Sequence, residues 1–237
     1  MRENGMTKTL FFYQNNEIGM CFGTSPKGKA SYNEYYALDR RISLKTELQW
    51  RETVQLQNIL RFADIWEDFP AIGLTLIDAE FKGGDEDQRI DLLYLRNDGG
   101  ILPCELKIGG DAKDSHGQLI RYMADLRFQT LDMAFLKDRH QHFLGYLTDQ
   151  VAKDIHIQKF NEFLSANVIS DKFIRLPPRS GILIDEGFPS QLLKAVRYLN
   201  NEAGFAIRLL KIVPYVAATW KPDETEFIMR LDFYDVQ

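Results

Sequence analysis

The stretch RIDLLYLRNDGGILPCELKI, residues 89–108, constrains this chain more than any other. Two apolar runs flank the turn-forming segment Arg-Asn-Asp-Gly-Gly, so the stretch reads as a β-hairpin. Yet the first run carries Asp91, and the second ends on Glu105 and Lys107. Strand side chains alternate between faces, so Glu105 and Lys107 share one face while Cys104 and Leu106 take the other. With the turn at Asn97 to Gly100, Asp91 falls near the strand end that carries Glu105 and Lys107. Two carboxylates and one ammonium then converge at one edge of a sheet. Paired carboxylates in a partly buried site repel each other, and a divalent cation removes that repulsion. Oxygen ligands of this kind suit Mg2+, with Mn2+ as a substitute, and favour phosphate-bearing substrates. A lysine beside such a cation can orient or deprotonate a water, or hold a phosphate.

The remaining chain interleaves strands and helices. TLFFYQNNEIGMCF reads as a hairpin turning at Asn15-Asn16, followed by a loop rich in turn formers. From Ser43 to about Trp66, Leu44, Leu48, Val54, Leu56, Ile59, Leu60 and Ala63 recur at helical spacing, with Ser43 as N-cap. IGLTLIDAEF reads as a strand. After the hairpin, GGDAKDSHGQLIRYMADLRF starts with glycines and an Asp cap and then runs helical. Residues 130–178 read as mixed helix and loop. GILIDEGF and FAIRLLKIVPYVAATW read as strands around a helix that Pro189 starts and Gly204 ends, and EFIMRLDFYDV alternates like one more strand. The expected fold is α/β: a mixed central β-sheet flanked by helices, with an N-terminal β-hairpin. The expected division is an N-terminal extension over residues 1–42 and one domain over 43–237, with a helical insertion near 130–178.

The order of the charged residues carries a resemblance. An acid opens one apolar strand, a glycine turn follows, Glu-x-Lys ends the return strand, and a helix comes just after. This resembles the PD-(D/E)xK nuclease superfamily, whose core is restriction-endonuclease-like. Asp91 matches the motif's acid, and Glu105 and Lys107 match its (D/E)xK. Gln118 and Tyr122 match the QxxxY helix of the RecB-like branch. The wording RIDLL…ELKIGGDAKDSHGQLIRYMADL looks most like the NucS-type endonuclease domains. The likeness spans about Glu47 to Val216, and Ile90 stands where many members have proline. It implies Mg2+-dependent hydrolysis of DNA, with Asp91, Glu105 and the Leu106 carbonyl as metal ligands and Lys107 as the group that positions the water. It also implies one more acid from the first helix, Glu52 in preference to Glu47. Gln118 and Tyr122, one helical turn apart, would steady Lys107 or a phosphate.

Other readings are weaker. The histidines lack partners in register for zinc, and Cys104 is better explained by packing than by nucleophilic chemistry. No phosphate-cradling Gly-x-x-x-x-Gly-Lys loop is present, which argues against an ATPase. Two cysteines do not make a disulfide framework, and no apolar run is long enough for a signal peptide or a membrane span, so a cytoplasmic setting without membrane contact is expected. The net charge of -5 disfavours a protein that coats nucleic acid, while leaving room for a local basic patch. It lends some support to the rival reading, a catalytically inactive nuclease-fold module that binds nucleic acid or a partner. A third reading is an Mg2+ hydrolase of small phosphates. Homodimerisation stays open, since no heptad pattern speaks for it.

Overall fold

The computed structural model describes residues 7–15, 19–23, 38–51, 55–62, 74–82, 89–96, 100–128, 132–147, 150–167, 179–222 and 227–236. Among them lie strands β1 (Thr7–Asn15), β2 (Gly19–Gly23), β3 (Leu38–Arg41), β4 (Leu74–Lys82), β5 (Arg89–Arg96), β6 (Ile101–Leu106), β7 (Ser180–Asp185), β8 (Ala206–Ala217) and β9 (Phe227–Val236). The helices are α1 (Gln57–Phe62), α2 (Ser115–Phe128), α3 (Met133–Tyr146), α4 (Gln150–Asn167) and α5 (Ser190–Glu202). All the strands join one sheet in the order β2-β1-β9-β8-β7-β6-β5-β4, with β3 paired to β8 off this path. The protein is thus α/β, with a mixed sheet flanked by helices.

The hairpin forms as the sequence suggests. β5 and β6 pair antiparallel, with Leu92 opposite Cys104 and Leu95 opposite Ile101, and Arg96 N donates to Gly100 O at 2.8 Å. β6 then pairs parallel to β7, and β7 parallel to β8. Parallel neighbours need a crossover, which α2, α3 and α4 supply in the first case and α5 in the second. Strands enclosed this way are buried on both faces, which is why β6 and β7 are buried along their whole length. Pro103 lies inside β6 but just before the parallel pairing opens at Cys104, where its missing N–H costs no ladder bond to β7.

Two apolar clusters cover the sheet. One joins Leu56, just before α1, and Ile59 and Leu60 of α1 to Leu92, Cys104, Leu106 and Ile184. The other joins Leu119, Tyr122, Met123 and Leu126 of α2 to Leu93, Leu95, Ile101 and Leu183. Those four α2 residues follow the i, i+3, i+4, i+7 spacing of a helix with one buried stripe.

Two expectations are corrected. The long helix from Ser43 is absent among the described residues of that segment. Ser43 does cap, its Oγ accepting from Thr46 N at 3.3 Å, but the cap closes a single turn. Gln49 then takes a left-handed φ of 53°, and helical structure resumes only near Gln57. The apolar spacing of Leu44 reflects another demand: its N–H donates to Glu186 Oε1 while its side chain is buried. Asp111 makes no cap hydrogen bond to the short helical turn that follows it, because its carboxylate pairs with Lys45. In the segment near 130–178, α3 and α4 occupy most of the described part. The N-terminal pair extends the sheet, β1 pairing antiparallel with β9.

Candidate active site

The hairpin register sets three acids in a row across three strands. Ala79 pairs with Leu92 and Phe81 with Ile90, so Glu80 lies opposite Asp91. Leu92 pairs with Cys104, so the next position, Glu105, lies opposite Asp91 on its other side. Asp91 and Glu105 are both buried, at 9% and 2% exposure. Leu106 N donates to Asp91 Oδ2 at 2.7 Å, and Lys107 Nζ donates to Glu105 Oε1 at 2.6 Å. Burial holds the Asp91 carboxyl well above its ordinary range, and the Glu105 charge adds to the rise; the Leu106 N–H and Lys107 oppose it, and Glu80 raises it further. A second positive charge beside Asp91 and Glu105 would relieve the cost of burying the two carboxylates together.

The side-chain directions follow the alternation read from the sequence. Cys104 and Leu106 point into the cluster under α1, whereas Glu105 meets α2, where the Tyr122 hydroxyl donates to it. That hydroxyl is held far above its ordinary pKa by burial, by Glu105 and by Asp91, so it acts as a hydrogen-bond donor throughout the working range. Gln118 lies one turn earlier on α2 and is half-buried.

A loop after β6 fixes where Lys107 emerges. Lys107 N donates to Ile184 O at 2.8 Å, prolonging the β6–β7 pairing. Gly109 and Gly110 both adopt positive φ, and a Cβ on Gly109 would fall 2.5 Å from Lys45 Cδ. Two buried carboxylates then bind the loop's backbone. Asp185 accepts from Gly110 N, Ala112 N and Glu186 N, and Glu186 accepts from Gly109 N and Leu44 N. Burial raises the Asp185 carboxyl to about 6, the three backbone N–H groups offsetting part of the rise.

Of the residues named from sequence, Asp91, Glu105, Lys107 and Tyr122 come together. Leu106 joins them through its N–H. Glu52 lies outside the described residues. Glu47 sits on a turn, pairs with Arg40 and accepts from Ser43 N. The α1 side chain that reaches the site is Gln57, 1% exposed, whose Nε2 donates to Glu80 Oε1 at 2.6 Å and to the Asp91 carbonyl at 2.8 Å. Arg89 NH1 lies 3.6 Å from Glu80 Oε2. Sequence reading passed over Glu80 and Gln57, and named Arg89 only as one of several candidate cations of a basic groove. A signal for Glu80 was present, because LTLIDAEF buries acids in an apolar run just as RIDLLYL does.

The same strand holds Asp78, fully buried, accepting from Ala79 N and bonded to His142 Nδ1 at 3.1 Å, with Arg139 at 3.6 Å. This group ties α3 to the sheet edge. His140, by contrast, stacks on Phe160 with ring centroids 4.1 Å apart, and burial lowers its pKa to about 4.

Among the described residues, no three His, Cys, Asp or Glu side chains are gathered as a ready metal cage. Asp91 and Glu105 nevertheless fit a divalent cation in kind, being hard oxygen donors buried side by side whose mutual repulsion a cation would relieve. Also among the described residues, no helix is long and apolar enough to cross a membrane. Comparison with protein-family models, with curated proteins and with solved structures finds no match for this chain.

Proposed function

We propose that the protein hydrolyses phosphodiester bonds of DNA with the help of Mg2+ or Mn2+. The observation that supports this reading most is the burial of Asp91 and Glu105 on adjacent strands with Lys107 bonded to Glu105. Nothing in the packing of an apolar hairpin calls for these charges, and burying them is costly. Asp91, Glu105 and the Leu106 carbonyl would hold the cation, which would supply charge neutralisation for the phosphate and a more acidic water. Asp91 would hold the cation as the carboxylate, so a bound cation would favour loss of its proton. Lys107, released from Glu105, orients the attacking water or the phosphate. Tyr122 keeps the Glu105 carboxylate aimed through its hydroxyl.

Incubation with single-stranded, double-stranded and branched DNA, with and without Mg2+ or Mn2+, tests the proposal. Cation-dependent cleavage of any of the three supports it. Intact DNA in every lane, from protein that binds the same DNA, would leave the inactive binding module as the reading. That alternative draws on one feature, the Lys107–Glu105 pair, which neutralises the acid internally. A cytoplasmic location belongs to the same proposal.

A further inference from the structure

We propose that Asp185 and Glu186 form a latch that sets the position of Lys107, and so act as positioning residues for the proposed cleavage. The catalytic consequence rests on the nuclease reading, whereas the latch itself rests on the geometry of one loop. Lys107 N donates to Ile184 O at 2.8 Å, just past the paired residues of β6. Beyond that bond, side chains hold the loop. Asp185 Oδ1 accepts from Gly110 N at 3.0 Å and from Glu186 N at 2.6 Å, and its Oδ2 accepts from Ala112 N at 3.2 Å. Glu186 Oε2 accepts from Gly109 N at 2.7 Å, and its Oε1 accepts from Leu44 N at 2.9 Å. Backbone donors thus engage all four oxygens of the pair.

Both side chains are buried, Asp185 completely. Burying two adjacent carboxylates is costly, and the result here is a fixed path for the chain from Gly109 to Ala112. The two glycines on that path take φ of 81° and 77°. An ionised acceptor holds an N–H more firmly than a neutral one, so the path is stiff. Lys45 adds to the hold from outside, its stem lying against Gly109 and its ammonium on Asp111. A loop tied down this close to Lys107 limits where that side chain can go. Lys107 Nζ rests 2.6 Å from Glu105 Oε1, and the side chain is 18% exposed. An amide in place of either carboxylate keeps one oxygen but turns an NH2 group toward a backbone N–H, so two donors meet. The loop then shifts and Lys107 shifts with it, while Asp91 and Glu105 stay in their strands.

The test takes Asp185→Asn and Glu186→Gln, each alone and in a Lys107→Ala background, with melting curves to establish that each is folded. Glu186→Gln carries the comparison should Asp185→Asn fail to fold. Assays run at pH 8, above the value of about 6 to which burial raises Asp185. On the DNA that wild type cuts, Asp185→Asn should lower kcat about tenfold to a hundredfold, with KM within about twofold of wild type. In the Lys107→Ala background the same substitution should change kcat by less than about twofold, because the group it positions is gone. Equal losses in the two backgrounds would make the acids merely structural and overturn the inference. A second readout needs no cleavage: brief acetylation by acetic anhydride in EDTA, read by mass spectrometry at Lys107 against the exposed Lys137. The ratio should rise about tenfold in either variant, the factor that loss of one charged hydrogen bond of the latch gives. An unchanged ratio in the folded variants overturns the latch. If wild type cuts no DNA, the nuclease reading fails, and the acetylation ratio alone decides whether Asp185 and Glu186 position Lys107.

Discussion

Asp91 is the residue on which the site turns, and its protonation makes two predictions. Its folded-state pKa is raised, so the proton it holds stabilises the metal-free protein fully below the ordinary value of 3.8, and that contribution is lost as pH rises through the raised pKa. Asp91→Asn removes the charge that must otherwise be buried at alkaline pH. It should therefore raise the melting temperature in EDTA at pH 8 while abolishing cleavage. Lys107→Ala should lower turnover by about a hundredfold to ten-thousandfold, the range for loss of a positioned proton-transfer group, with the fold retained. An Asp91→Asn protein that melts well below wild type and still cuts would make the acid structural. The second prediction concerns pH. A cation competes with the proton on Asp91, so the acidic limb of the cleavage profile should move to lower pH as Mg2+ is raised. A limb that ignores Mg2+ concentration would place the titrating group elsewhere.

At the scale of elements, β7 and α2 meet at Gly181. A Cβ there would lie 2.8 Å from Met123 Cε and 3.2 Å from both Leu119 methyl carbons. The near atoms are the ends of flexible side chains, so Gly181→Ala should cost under about 1 kcal/mol. Gly181→Val adds branches that must push α2 off the sheet, at about 1–3 kcal/mol in urea unfolding. Because Tyr122 rides on α2 and bonds Glu105, Gly181→Val should also slow cleavage in the folded fraction. The same elements show what sequence pattern can and cannot reveal. The hairpin was legible because its turn and its register are local, and the direction of Tyr122 was legible because it is one helical face. The stretch after Ser43 was not. Its apolar residues do recur at helical spacing, but Leu44 is held by Glu186, a partner 142 positions away that no window of sequence contains. The Gln57–Glu80–Arg89 chain was hidden for the same reason. It joins a helix to two strands through contacts that only the sheet pairing creates.

For the whole molecule, charge poses the problem that the proposed catalysis must solve. The protein carries a net charge of -5, and its site sets Glu80, Asp91 and Glu105 side by side across the sheet. A DNA strand approaching this surface meets like charge overall and, at the centre, acids held in a poorly screened interior. Arg89, Lys82 and Lys107 offset part of that field, but Lys107 is paired with Glu105. On the proposed reading, a divalent ion would change the balance twice: it would neutralise the acids and release Lys107 toward the phosphate. DNA affinity should therefore depend on the cation even where no bond is cut. Ca2+ serves the test, since it takes oxygen ligands as Mg2+ does but tolerates looser geometry. Anisotropy of a labelled oligonucleotide at fixed ionic strength should give binding about tenfold tighter or more in Ca2+ than in EDTA, and Asp91→Asn should narrow that gap by weakening the Ca2+ arm, because the variant lacks a carboxylate that would hold the cation. Equal affinity in Ca2+ and EDTA would mean that DNA does not pass over these acids, and that its path on the protein lies away from the hairpin.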